Sequence, residues 1–166
     1  MLRSPKPIAP RAGQESVWAY PRPPRLERTA KRIEVVLGGV VIADTTDAYR
    51  VLETSHPPGY YLPRAAFLPG VLEAAHGASF CEWKGEAAYW TLSAGGKTAA
   101  RAGWSYERPT PAFAAIAGFV AVYAGQMDEC RLDGERVTPQ PGGFYGGWIT
   151  ADVVGPFKGG PGSMGW

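Results

Sequence analysis

Three turn-forming dipeptides, Gly38-Gly39, Gly95-Gly96 and Asp133-Gly134, each stand between runs rich in alternating or β-branched apolar residues. A two-residue loop of this kind adopts a primed turn whose twist matches that of two paired strands, so each dipeptide closes a β-hairpin. The chain is thereby committed to antiparallel sheet. Composition points the same way: Gly 22, Pro 16, Trp 6 and Tyr 8 in 166 residues favour many short strands joined by turns over long helices.

Counting outward from Gly38-Gly39 sets Leu37 opposite Val40 and Val35 opposite Ile42, with Ile33, Val35, Leu37, Val40 and Ile42 on the core face. Counting outward from Gly95-Gly96 sets Leu92 opposite Ala99, Trp90 opposite Arg101, Tyr89 opposite Ala102 and Ala87 opposite Trp104. That register stacks Arg101 on Trp90. Residues 49–52 and 60–62 read as short strands flanking Pro57-Pro58-Gly59, which fixes φ twice and then frees it. Residues 70–77 fit either a helical turn or a loop. Thr110-Pro111 starts a short helix with the Thr hydroxyl as its N-cap, and residues 119–123 return to strand.

Composition divides the chain into a Pro-rich basic arm (1–30), a central domain (31–138) and a Gly- and aromatic-rich tail (139–166). The arm is expected to be extended, either disordered or draped over the domain, with Trp18 as the residue that would tack it down. Five large aromatics of the tail, Phe144, Tyr145, Trp148, Phe157 and Trp166, are costly to leave in water. The tail is therefore expected to lie on the domain or on a second subunit. A formal net charge of +2, with the basic excess in the arm, offers no basic face for nucleic acid. There is no apolar run of the roughly 18 residues that a membrane span requires. Pro5, Pro7, Pro10 and Arg11 interrupt any apolar leader, so the expected location is the cytoplasm.

Cys81 and Cys130 belong to no Cys-x-x-Cys pair and the two histidines are isolated, so no metal site is expected. Both cysteines read as small buried hydrophobes. Gly95-Gly96-Lys97-Thr98 resembles the end of a phosphate-binding loop but lacks the earlier glycine and sits in a hairpin. No cofactor is expected.

Gly-Gly-Val-Val-Ile-Ala-Asp-Thr from Gly38, Leu-Glu-Thr-Ser-His-Pro-Pro-Gly-Tyr-Tyr-Leu-Pro-Arg from Leu52 and Cys-Glu-Trp-Lys-Gly-Glu-Ala-Ala-Tyr-Trp from Cys81 occur in that order. They are followed by Ala-Gly-Trp-Ser-Tyr from Ala102 and Ala-Gly-Phe-Val-Ala-Val-Tyr from Ala117. Over about Ile33 to Val137 this succession resembles the domain of unknown function 427 (DUF427) family of bacterial and fungal proteins, also labelled nucleotidyltransferase-like (NTP_transf_9). The resemblance implies a mainly β fold with one or two short helices, in which two antiparallel sheets pack at a steep angle. This is the β-tent, similar to methionine sulfoxide reductase B and the thalidomide-binding domain of cereblon. Those relatives often pin their sheets with zinc on two Cys-x-x-Cys pairs, which this chain lacks. A metal-dependent nucleotidyltransferase needs paired carboxylates on adjacent strands, and Glu82 with Glu86 across a turn is a weak substitute.

The stretch from Val51 to Phe67 gathers a carboxylate, an imidazole, two phenols and a guanidinium in one Pro-braced loop. Glu53 and His56 are the candidate catalytic pair, spaced so that a carboxylate orients or charges an imidazole for proton transfer. Tyr61, Arg64, Lys84 and Trp104 are the candidate ligand-binding residues. Arg64 offers a bidentate fork and Lys84 a point charge to a phosphate or carboxylate. Trp83, Trp90, Trp104, Tyr60, Tyr61, Tyr89 and Tyr106 supply enough aromatic surface to wall a pocket. The expected function is a small-molecule site, binding or catalytic, in the loop from Glu53 to Arg64. The alternative is a non-catalytic interaction or homo-oligomerisation module working through the arm and the tail.

Overall fold

The computed structural model describes residues 5–166, so the first four residues of the expected arm lie outside the described residues. In chain order the strands are β1 (Glu15–Ser16), β2 (Arg25–Thr29), β3 (Ile33–Leu37), β4 (Val40–Thr45), β5 (Ala48–Leu52), β6 (Gly59–Tyr61), β7 (Leu72–Cys81), β8 (Gly85–Ala94), β9 (Lys97–Ser105), β10 (Val120–Val122), β11 (Glu129–Leu132), β12 (Glu135–Arg136), β13 (Thr138–Pro139), β14 (Trp148–Ile149) and β15 (Val153–Val154). The fold is mainly β, as expected, with several antiparallel sheets and only short 3-10 turns between them. Two four-stranded sheets, ordered β12-β11-β3-β4 and β10-β9-β8-β7, stand with a three-stranded sheet, β2-β5-β6. They share one apolar core. Ile33, Val35, Leu37 and Ile42 come from the first sheet, Leu92, Ala102, Val120 and Val122 from the second, and Tyr60 from the third. Removing these side chains from water is the main drive to bring the sheets together.

The hairpins form where the glycines set them, but two β-bulges change the registers beyond the turns. Leu37 pairs with Val40 as expected, whereas Val35 pairs with Ala43 and not with Ile42, because Ile42 is an extra residue between the Val36–Val41 and Val35–Ala43 pairs. The bulge buries Ile42 and Ala43 in succession and leaves Val40 only half-buried. In the β8–β9 hairpin Leu92 pairs with Ala99, but Trp90 then meets Gly103 and Tyr89 meets Trp104. Two additional residues of β9 loop out opposite Thr91, with Arg101 at φ 53 and its N–H donating to the Thr91 hydroxyl at 3.2 Å. Arg101 accordingly stacks on Tyr89, 4.5 Å from its ring centre, and not on Trp90. Because two residues are inserted, Gly103 and Trp104 keep the faces that alternation gives them, but within the insertion the alternation breaks, and Ala99 and Ala102, three apart, both enter the core.

Residues 72–81, of which the first half fits a turn or loop in the sequence, are the edge strand β7. Most of its side chains are exposed, and the bulge at His76-Gly77 breaks its alternation, so no apolar period marks it as a strand. Pro111–Ile116 is a 3-10 segment, but the Thr110 hydroxyl does not cap it: it donates to the Trp83 carbonyl at 2.5 Å. Part of the stretch expected as an arm is built into the sheets, since β2 pairs along its whole length with β5.

The tail lies on the domain. β13 and β14 form a two-stranded ribbon that seats Trp148 in the main core at 1% exposure, its indole N–H donating to the Val122 carbonyl at 3.2 Å. β15 runs parallel to β1, and Trp18 donates its indole N–H to the Pro156 carbonyl at 2.8 Å. Among the described residues no helix is long and apolar enough to cross a membrane.

Candidate functional site

A cavity of about 440 Å³ lies where four segments meet. The loop after β5 contributes Glu53, His56 and Pro57, and β6 contributes Tyr61. The end of β7 and the turn into β8 contribute Cys81, Trp83 and Lys84, while Trp104 comes from β9 with Tyr106 just beyond it. The tail closes the remaining side with Gln140, Tyr145, Gly146 and Gly147.

Each wall is positioned by a local rule. Along β6 successive side chains point to opposite faces, so Tyr60 enters the main core against Trp148, with ring centres 5.2 Å apart, while Tyr61 faces the cavity. The Tyr61 hydroxyl accepts the Trp104 indole N–H at 3.2 Å, and the two rings meet edge to face. Thr110 clamps the β7–β8 turn with two bonds, from its hydroxyl to the Trp83 carbonyl and from its N–H to the Lys84 carbonyl at 3.1 Å. Gln140 accepts the Gly147 N–H and donates to the Lys158 carbonyl, which fixes the tail loop. A Cβ on Gly146 would stand 2.1 Å from the Trp104 ring, so only glycine lets the tail backbone close over the indole.

The sequence-selected residues thus divide. Glu53, His56, Tyr61, Lys84 and Trp104 line one cavity. Arg64 does not reach it. Pro63 leads into the 3-10 turn Arg64–Ala66, which carries the guanidinium to the surface, over the Trp90 ring at 4.6 Å and into an ion pair with Glu107. Trp90 is held there by its own indole bond to the Ser105 hydroxyl. Of the aromatic set, Trp83, Tyr89 and Tyr106 join the cavity walls, whereas Tyr60 and Trp90 do not. Cys81, read from the sequence as a small core residue, is only partly buried and lines the cavity, unlike fully buried Cys130. The tail residues Gln140, Tyr145 and Lys158 have no local pattern that would have selected them.

The electrostatics are those of a partly open, aromatic-walled cavity with one buried cation. Burial pushes the Tyr61 and Tyr106 phenols well above the ordinary tyrosine range, so both are neutral donors at physiological pH. Burial opposes the Lys84 ammonium, but Tyr61, Cys81 and the Glu53 carboxylate outweigh it and leave the group above its ordinary value. Lys84 is charged. Burial lowers His56, against the pull of Glu53, whose carboxylate lies 3.6 Å from Nδ1. With Nδ1 2.9 Å from the Thr54 carbonyl, the neutral tautomer donates there and leaves Nε2 as an acceptor. The ring packs edge-on against Tyr145 at 4.9 Å. The chamber therefore offers aromatic surface, an ammonium, a neutral imidazole and a thiol. Among the described residues no group of three or more His, Cys, Asp or Glu side chains could hold a metal ion.

The family model described as Domain of unknown function (DUF427), named NTP_transf_9, matches residues 25–133. No curated protein matches the chain. The matched segment carries Glu53, His56, Tyr61, Cys81, Lys84 and Trp104, and the tail wall lies beyond it.

Proposed function

The chain belongs to the domain of unknown function 427 family, and since that membership names no reaction we propose, from the chemistry of the cavity, that it binds a small organic molecule between aromatic walls. The observation that carries this reading is the chamber itself. A cavity of about 440 Å³, walled by Tyr61, Trp83, Trp104 and Tyr106 with Glu53, His56, Lys84 and Gln140 set among the rings, has the size of a small-molecule site and combines aromatic surface with orienting polar groups. The arm and tail direct most of their aromatics inward, Trp148 into the core and Trp18 against Trp166, which favours a binding chamber over an oligomerisation module.

The test is a thermal-shift screen of small aromatic and heterocyclic compounds. A compound at about a hundred times its dissociation constant raises stability by ~2.7 kcal/mol, a shift of several degrees in a domain of this size. The shift is expected to vanish in Trp104→Ala and to persist in Arg64→Ala, because Arg64 stands outside the cavity. Persistence in Trp104→Ala with loss in Arg64→Ala would refute the assignment.

A further inference from the structure

We propose that the molecule taken by this cavity is a flat organic acid carrying a single negative charge, with Lys84 as its anchor. The inference rests on the binding reading above and adds the charge and shape of the ligand.

Lys84 is the unusual group of the chamber. It is 9% exposed, lines the cavity, and among the described residues has no carboxylate within ion-pair distance. Its ammonium rests over the faces of Tyr106 and Phe113, at 5.7 and 5.8 Å, and the Cys81 thiol is the neighbouring polar side chain. Of the other charges of the lining, Glu82 is exposed to solvent and the rest have partners. Glu53 faces Arg22 at 3.8 Å and His56 at 3.6 Å, and Lys158 donates to the Trp166 main-chain oxygen at 3.2 Å. A buried cation in contact with ring faces and a thiol, with Glu53 beyond ion-pair distance, is left short of a directly bonded anion, because aromatic quadrupoles and a thiol replace its hydration incompletely.

The number of charges follows from the same inventory. One ammonium neutralises one carboxylate, and a phosphate dianion would leave a second negative charge buried in an aromatic chamber. Phosphate sites gather several donors, such as an arginine fork or a row of backbone N–H groups. The one arginine of the candidate set, Arg64, lies outside. The neutral phenol of Tyr61 already accepts from Trp104, so its own proton is available to a second carboxylate oxygen. The aromatic walls then select a planar body.

The experiment compares matched acids and amides on the full chain: benzoate with benzamide, indole-3-acetate with indole-3-acetamide, and phenyl phosphate as the dianion. Dissociation constants come from titration calorimetry, and location from the rate at which iodoacetamide alkylates Cys81. Cys130, at 1% exposure, serves as the unreactive internal control. The acids are expected to bind the wild type at least about tenfold tighter than their amides, the scale of one charge-assisted hydrogen bond, and to slow Cys81 alkylation. In Lys84→Met the preference for acid over amide is expected to disappear while the amides still bind. Amides binding as tightly as acids, or phenyl phosphate binding tightest, overturns the charge assignment and leaves the cavity reading standing. Acid binding without protection of Cys81 sets the acid elsewhere and overturns the proposal. If no member of any pair binds, the ligand class is overturned, and the thermal-shift screen decides separately whether the cavity binds anything. The acid-to-amide comparison is made within the wild type, so it stands even if Lys84→Met does not fold.

Discussion

Tyr60 and Tyr61 are neighbours in the chain and serve different parts of the molecule, one the core and the other the cavity. Which tyrosine faces which way depends on the strand around them, and that strand is legible from Pro57-Pro58-Gly59 and Pro63. Glu53, His56, Tyr61, Lys84 and Trp104 stand out in the sequence as polar or aromatic groups in turns and strands, which the β2-β5-β6 and β10-β9-β8-β7 sheets bring to one cavity. Arg64 is not brought there, because a single 3-10 turn after Pro63 rotates it to the surface. At this scale His56 gives a prediction with a definite sign. Its folded pKa is lowered below the ordinary 6.5, so below that value the unfolded chain binds a proton that the folded chain refuses. The stability is fully present above about pH 6.5 and is lost as pH falls through the folded value. Urea denaturation between about pH 7 and pH 5 is expected to show a steeper loss in the wild type than in His56→Gln. Parallel losses would assign the acid sensitivity to carboxylates such as Glu15 and Asp152, whose pKa values are lowered by their cationic partners Arg50 and Lys31.

Among the elements, the hairpins were written plainly in the sequence and their bulges were not. A turn dipeptide determines the first pair, but a bulge arises from how two sheets fit together, and nothing in the strand's own alternation marks it. The Gly38-Gly39 turn shows the difference between local and tertiary demand at adjacent positions. Both glycines have positive φ, 60 and 73, so alanine is strained at either. Only at Gly38 would the new Cβ also meet another hairpin, 2.1 Å from the Ala94 carbonyl oxygen, while at Gly39 there is open space. Gly39→Ala is expected to cost about 1–2 kcal/mol. Gly38→Ala is expected to cost roughly 1–3 kcal/mol more, the scale of overpacking, in the same denaturation experiment. Equal losses would mean that the two hairpins part to admit the methyl group.

For the whole molecule, the aromatics of the tail pointed to its docking, but the pairing of the two ends with each other was not legible. Short strands such as β1 and β15 have too few residues to show a period, and their parallel pairing joins positions more than 130 residues apart. The two ends therefore hold one another. A chain truncated after Thr150 loses β15, and the amide of Ile8, bonded to the Gly155 carbonyl at 2.9 Å, and those of residues 15–18 are expected to exchange faster with solvent. Unchanged exchange would mean that the arm is held by the domain alone. The tail loop between Gln140 and Trp148 has a different consequence. Its two posts are fixed, one by the Gly147 and Lys158 bonds and the other by burial in the core, while Phe144 between them is exposed. In a span hung from two such posts, the exposed Phe144 at the cavity rim can change at little cost to the scaffold, whereas Gly142, Gly146 and Gly147 have no room for a side chain. What the chamber admits could then drift from one descendant to another, or be rewritten by grafting, without the fold being renegotiated.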